Sequence, residues 1–211
     1  MRRFISLIII FILSLPYAIA QMNNIPGQYS LRGVMETASG LQLNKDSSFE
    51  FYFSYGALDR SGSGNWAVNK DNIILDSRPY PGKDFKMVDS ASVKNEFITV
   101  KIQDANTDLY RLVYCLVKGP TGDTLLNADI NGMIVVPYPA ESIHLLSELS
   151  TERMSTFAIN SKKYISYTFH FEPWITEVFF KSFPLRYAED HLEGKHPLLD
   201  EKEYKYEREK E

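Results

Sequence analysis

Four histidines, one cysteine and three N-terminal carboxylates are the residues of this 211-residue chain with the chemistry for catalysis or metal binding. The histidines are His144, His170, His191 and His196, and none forms an i,i+2 strand pair or an i,i+4 helix pair. His191 and His196 lie near Glu189, Asp190 and Glu193, residue types that hold zinc. The run is densely charged, however, and reads as a solvated terminus, so no metal site is expected. His170 shares the polar face of its strand with Thr168 and reads as a surface residue. Ser61-Gly62-Ser63-Gly64 lacks the Gly-x-Ser-x-Gly frame of a nucleophile elbow. Cys115, between Val113 and Val117 on an apolar stretch, reads as a buried structural thiol, with no motif pairing it to a histidine. Glycine-rich phosphate loops and dinucleotide fingerprints are absent.

The carboxylates Glu36, Glu50 and Asp59 carry the enzyme option. Gathered at a barrel mouth with Tyr55, two of them would suit general acid–base hydrolysis. Against this, Glu50 shares a face with Tyr52 and Ser54, opposite the phenylalanines, and Asp59-Arg60 suits a turn with a surface pair. The expectation is a protein that is not an enzyme and carries no cofactor. The aromatic excess, thirteen Tyr and thirteen Phe, points instead to binding, because tyrosine joins a large apolar ring to a polar tip. Tyr52, Tyr55, Tyr80, Tyr110 and Tyr114 are candidates for a groove or partner surface. Strand propensity alone also favours aromatics. Tyr52, Tyr55, Asp59 and Trp66 are the expected ligand-binding residues.

Those four sit on the clearest element of the chain. Phe49, Phe51, Phe53 and Tyr55 alternate with Glu50, Tyr52 and Ser54, the two-residue period of a half-buried strand. Gly56 to Gly64 turns the chain, and Trp66 and Val68 begin the return. Upstream, Tyr29 to Met35 and Leu41 to Leu43 read as strands, and Ile73 to Leu75 pairs back. These close turns describe a meander. Ser77 to Lys86 reads as a Pro/Gly loop, and Phe97 to Gln103 as a strand. Leu109 to Val117 is apolar on both faces, as in a doubly covered strand. Asn131-Gly132 is a strong hairpin signal. Ser142 to Leu149 reads as a strand at its start, with a short helix as the alternative, and Ile165 to Phe171, Val178 to Phe180 and Leu185 to Tyr187 read as further strands. The expected architecture is all-β: residues 21–108 an antiparallel meander forming a barrel or half-barrel, 109–195 a small β-sandwich, and 196–211 a charged tail. One continuous sandwich is the alternative.

Arg2-Arg3, the apolar run Phe4 to Leu15 and Ala18-Ile19-Ala20 form a secretory signal peptide, expected over residues 1–20 with cleavage before Gln21. The alternative is an uncleaved anchor, for which the run is slightly short. Cleavage removes Arg2 and Arg3, moving the formal charge from −4 to −6. An acidic chain without a basic run is a poor partner for nucleic acid. A single cysteine precludes an internal disulfide despite export, a composition that fits the bacterial periplasm or cell surface.

Two segments resemble known families. Over residues 28–76, the Phe49 strand, its glycine-rich turn and Gly64-Asn65-Trp66 resemble bacterial lipocalin-like β domains, where Gly-x-Trp marks a barrel strand. Over 109–137, Val117-Lys118-Gly119-Pro120-Thr121-Gly122-Asp123 with Leu125, Leu126 and Ala128 resembles the opening of carboxypeptidase-regulatory-like (prealbumin-like) sandwich domains. The first resemblance implies a carrier of a small apolar ligand, with a cavity edged by Tyr55 and Trp66. The second implies a folding or interaction module. The function expected overall is a non-catalytic exported binding protein whose partner is a protein or a small apolar molecule. The alternatives are the lipocalin-like carrier and a small hydrolytic enzyme using the N-terminal carboxylates. After signal cleavage no membrane span is expected.

Overall fold

The computed structural model describes residues 25–92, 97–119, 122–163 and 165–210. The expected signal peptide and its cleavage site lie outside the described residues. The protein is all-β and contains a closed eight-stranded antiparallel barrel. Its contacts divide it into two compact units, one of residues 1–79 and 177–211 and the other of residues 80–176.

The first unit is the barrel. Its strands are β1 (Gly27–Leu31), β2 (Thr37–Leu43), β3 (Ser48–Tyr55), β4 (Leu58–Asn69) and β5 (Asn72–Asp76). The chain then leaves, and returns as three more barrel strands that follow the eight strands of the inserted unit: β14 (Phe183–Ala188), β15 (His191–Lys195) and β16 (Glu203–Arg208). The circular order is β1-β16-β15-β14-β5-β4-β3-β2, so every strand pairs antiparallel with its neighbour along the chain, apart from the β5–β14 junction and the closing β1–β16 pair. Closure satisfies both sheet edges at once. It needs the last residues of the chain. Those were expected as a solvated tail, but Leu31 pairs with Tyr206 and Tyr29 with Arg208. Tyr206 points inward and is buried, while Glu203, Lys205 and Glu207 face solvent. Alternation places Glu203, Lys205 and Glu207 outside, and Arg208, on the inward period, bonds the Pro26 carbonyl at 2.6 Å, so the charge density of this segment does not oppose a strand.

β3 alternates as its sequence predicts, with Phe49, Phe51 and Phe53 buried and Glu50 and Tyr52 exposed. The first strand is shorter than expected. It ends at Leu31, and the chain turns through Gly33 (φ 77°) and Glu36 (φ 55°), so Met35 lies on a turn. β4 runs past the end of β5, leaving its first half without a β5 partner. The returning segment 177–180 fills that place. It is not the strand expected there: it makes one parallel bridge, Ser61 to Glu177, and its Val178 N–H donates to the Ser61 carbonyl at 2.7 Å. Phe180 packs edge-on to Phe49 and Phe51, each with ring centres 5.2 Å apart. Gly62 permits this approach, because a Cβ there would lie 2.7 Å from the Val178 carbonyl oxygen. Buried Arg60 holds the same segment through a 3.0 Å bond to the Glu177 carbonyl.

The inserted unit contains β6 (Phe85–Ala91), β7 (Ile98–Ile102), β8 (Val113–Gly119), β9 (Gly122–Asn127), β10 (Met133–Val136), β11 (Ser142–Ser147), β12 (Ser155–Ala158) and β13 (Ser166–Phe171). They form two four-stranded sheets, β10-β7-β13-β6 and β12-β11-β8-β9, with one shared core. Phe157 and Phe169 meet across it at 4.7 Å. The expected boundary near Asp108 lies inside this unit, because β7 pairs with β10 and β13. The sandwich is therefore inserted within the barrel sequence, whereas it was expected to follow it. β6 begins where a loop was expected. Residues 107–112 form a 3-10 helix, and β8 starts only at Val113. The Asn131-Gly132 turn forms, with Gly132 N–H bonded to the Asp129 carbonyl, but it joins β9 and β10 of different sheets and not a paired hairpin. A buried ion pair ties the unit together. Asp84, 1% exposed, accepts from Arg153 Nε at 2.8 Å and from Ser150 Oγ at 2.9 Å. The Arg153 guanidinium lies 5.1 Å from the Tyr80 ring centre. Burial first, and the Asp84 charge second, push the Tyr80 phenol up to about 12. Among the described residues, no helix is long and apolar enough to cross a membrane.

Candidate interaction surface at one end of the barrel

Three turns meet at one end of the barrel: β1–β2, β3–β4 and β15–β16, as the up-and-down strand order requires. Glycines at positive φ shape two of them, Gly33 and Gly56. The side chains they carry are unusually apolar for a rim. Met35 is 86% exposed and Tyr55 is 53% exposed. The β2–β3 register sets Tyr55 opposite Thr37, two residues from Met35. Tyr52, 40% exposed on the outer face of β3, lies across Gly40 of β2, which has no side chain to displace it. Asp59 pairs with Ser54 across the hairpin and accepts its hydroxyl at 2.6 Å. Glu36 is exposed beside Met35. The rim is thus apolar at its tip and acidic at its edge.

Of the four expected ligand-binding residues, Tyr52, Tyr55 and Asp59 share the β3–β4 hairpin. Trp66 does not join them: it is buried on the inner face of β4 opposite Leu75, its Nε1–H donating to the Asn44 carbonyl at 3.0 Å. The wider set of tyrosines does not form one groove. Tyr80, Tyr110 and Tyr114 belong to the inserted unit; Tyr110 is buried with its hydroxyl on the Asp104 carbonyl, and the Tyr114 hydroxyl donates to Glu148. Glu50 is exposed farther down β3, opposite Gln42 and Ser63. It borders a cleft of about 370 Å³ with Arg78 and Glu177, which pair with each other at 2.7 Å.

The barrel interior beneath the rim is built from large side chains. Tyr29, Leu41, Leu43, Phe49, Ile73, Leu75, Leu192 and Tyr206 are all buried there in one apolar cluster. His196, placed by its sequence in the charged tail, also turns inward and is 4% exposed. Its Nδ1 accepts the Leu198 N–H at 3.1 Å, which fixes the proton on Nε2. Nε2–H then donates to Ser39 Oγ at 3.0 Å, and Ser39 donates to the Tyr52 carbonyl at 2.8 Å. Burial holds the imidazole down at about 4, favouring the neutral ring. The signal for this position was the apolar Leu198-Leu199 pair inside the charged run.

The other histidines are engaged elsewhere. His144 bridges Ser142 and Thr156, and His191 lies between Asp190 and Glu193. Among the described residues, no group of three His, Cys, Asp or Glu is arranged to hold a metal ion. Cys115 is fully buried, and burial pushes its thiol up to about 12. No protein-family model matches the chain, and no curated protein or solved structure matches it.

Proposed function

We propose that the protein is a non-catalytic interaction protein of the bacterial cell envelope, exported through its apolar N-terminal segment. It binds a protein partner at the barrel end formed by Met35, Tyr52 and Tyr55. The observation that carries this reading is the grouping of these three exposed side chains on adjoining turns and strands toward one end of the barrel, whereas Val68, also exposed, stands apart near the far end of β4. Tyrosine and methionine are enriched at protein interfaces, and clustered apolar exposure marks binding surfaces more often than scattered residues do. Glu36 and Asp59 at the edge select a partner whose apolar patch is flanked by basic side chains. The buried side chains along the barrel axis weigh against the small-ligand carrier. The exposure of Glu36 and Asp59 weighs against hydrolysis.

The test is a photoreactive side chain placed at Met35, Tyr55 or Val68 in a bacterium exporting the protein, Val68 lying near the far end of β4. Met35 and Tyr55 are expected to capture one discrete protein, and Val68 none. Reversing charge with Glu36→Lys and Asp59→Lys together should abolish that capture. Equal capture at Val68, or capture indifferent to the charge reversal, overturns the proposal.

A further inference from the structure

The seven residues between β15 and β16 cross one end of the barrel. They begin with His196 and carry Leu198 and Leu199 onto the barrel core. We propose that His196 is an acid-released latch that holds this strap closed at neutral pH and frees it when protonated. The proposal is independent of what the rim binds.

The geometry supplies the latch. With Nδ1 accepting from Leu198 N–H and Nε2–H donating to Ser39, both ring nitrogens are used, and only the neutral Nε2–H tautomer satisfies both bonds. Adding a proton to Nδ1 sets donor against donor at Leu198. The strap then loses the bond that folds its first turn, and the cation is enclosed with no acceptor for its new proton.

The surroundings offer that cation little. From β3 come Phe51 and Phe53, with ring centres 5.7 and 5.3 Å away. From β16 come Tyr204 at 6.1 Å and Tyr206 at 6.3 Å, the latter stacked within 8°. These rings attract a cation weakly at such separations and cannot accept the Nδ1 proton. β2 contributes neutral Ser39. The inward charged group on β4 is Arg60, a cation opposite Phe53. Within the strap, Asp200 is the nearest carboxylate in sequence. It accepts the Tyr204 hydroxyl at 2.7 Å and pairs with Lys202 at 2.7 Å. Glu201 is committed to Lys195. No carboxylate in this set bonds the imidazole.

The sign follows from the two states. In the closed strap the imidazole sits at about 4, against 6.5 when solvated. Above pH 6.5 both states are neutral and closure is undisturbed. As pH falls from 6.5 toward 4, the open state takes up the proton first, so opening becomes easier. Linkage between these values makes opening about 20-fold more populated at pH 5 than at pH 7.

Amide hydrogen exchange, corrected for the intrinsic pH dependence of exchange, reads this directly. In the wild-type protein the protection of the Leu198 amide is expected to fall about 20-fold between pH 7 and pH 5, while β3 amides keep theirs. In His196→Asn the side-chain oxygen can still accept the Leu198 N–H without titrating, and protection should be independent of pH over this range. An unchanged wild-type value, or an equal fall in His196→Asn, overturns the proposal. A second readout, independent of the variant's stability, is titration of the wild-type imidazole by nitrogen-detected NMR. An Nε2–H tautomer with a midpoint well below 6.5 supports the latch, and a midpoint at or above 6.5 overturns it.

Discussion

Replacing Arg153 by methionine should destabilise the inserted unit by about 3–5 kcal/mol, the cost of leaving one partner of a buried ion pair alone. Asp84 loses its 2.8 Å bond to Nε, and the Ile175 carbonyl loses the donor supplied by Nη2. Methionine keeps much of the stem volume, so the loss is electrostatic and not a cavity. Ser150 still bonds the carboxylate at 2.9 Å, which places the expected value near the lower bound, about 3 kcal/mol. Asp84→Asn keeps the shape and removes the charge. It leaves the guanidinium only 11% exposed and should cost about 2 kcal/mol. The double variant should cost at least about 1 kcal/mol less than the two single costs together, because each single change strands the other partner. The assay uses the distribution of the two tryptophans. Trp66 lies in the barrel unit and Trp174 in the inserted unit. In a Trp66→Phe background, urea unfolding followed through Trp174 reports the inserted unit. At a slope of about 1.5 kcal/mol/M, the Arg153 variant should move the midpoint by roughly 2 M. A shift worth less than about 1 kcal/mol, or additive single costs, would refute the reasoning and leave the apolar core as the sole source of stability there.

Gly62→Ala should destabilise the barrel by about 1–3 kcal/mol, read through Trp66 fluorescence, since the added methyl meets the Val178 carbonyl oxygen at 2.7 Å and the Phe180 ring at 2.9 Å. Deleting residues 203–211 removes the strand that joins β1 to β15 and should abolish the cooperative Trp66 transition; a retained transition would show that the barrel closes without β16. The Cys115 thiol should react with a thiol reagent at pH 8 only in step with unfolding, because it is fully buried and held up at about 12; rapid labelling of the native protein would place it elsewhere.

The parts of the fold legible in the sequence are those governed by local period. β3 reads directly, because a two-residue alternation of Phe against polar residues has one structural solution. The same alternation places Tyr52, Tyr55 and Asp59 on one hairpin. The glycine-rich stretch Gly56 to Gly64 was expected as a turn with Asp59-Arg60 as a surface pair, but β4 already begins at Leu58, and its alternation turns Arg60, Gly62 and Trp66 inward, which separates Trp66 from the other three. What escaped the sequence depends on pairing between distant residues. β5 is joined to β14 across the whole inserted unit, and no local feature of Asn72–Asp76 or Phe183–Ala188 states that partnership. β16 was hidden by its charges, although Tyr204 and Tyr206 keep the inward period. Asn131-Gly132 is a true turn signal, but a turn does not declare whether its flanking strands pair with each other. Met35 was read as a strand residue because its alternation with Tyr29 and Leu31 continues through Gly33. The backbone at Gly33 and Glu36 adopts positive φ there, and the residue becomes a turn tip.

Native mass spectrometry of the protein recovered from a bacterial envelope tests the central claim most directly. Partner binding through the barrel rim predicts a complex with a discrete protein. It also predicts that the complex is lost in Met35→Asp/Tyr55→Ala and that the free chain carries no bound small molecule. A persistent small apolar mass on the wild-type chain that survives the rim substitutions would contradict it and place the function inside the barrel.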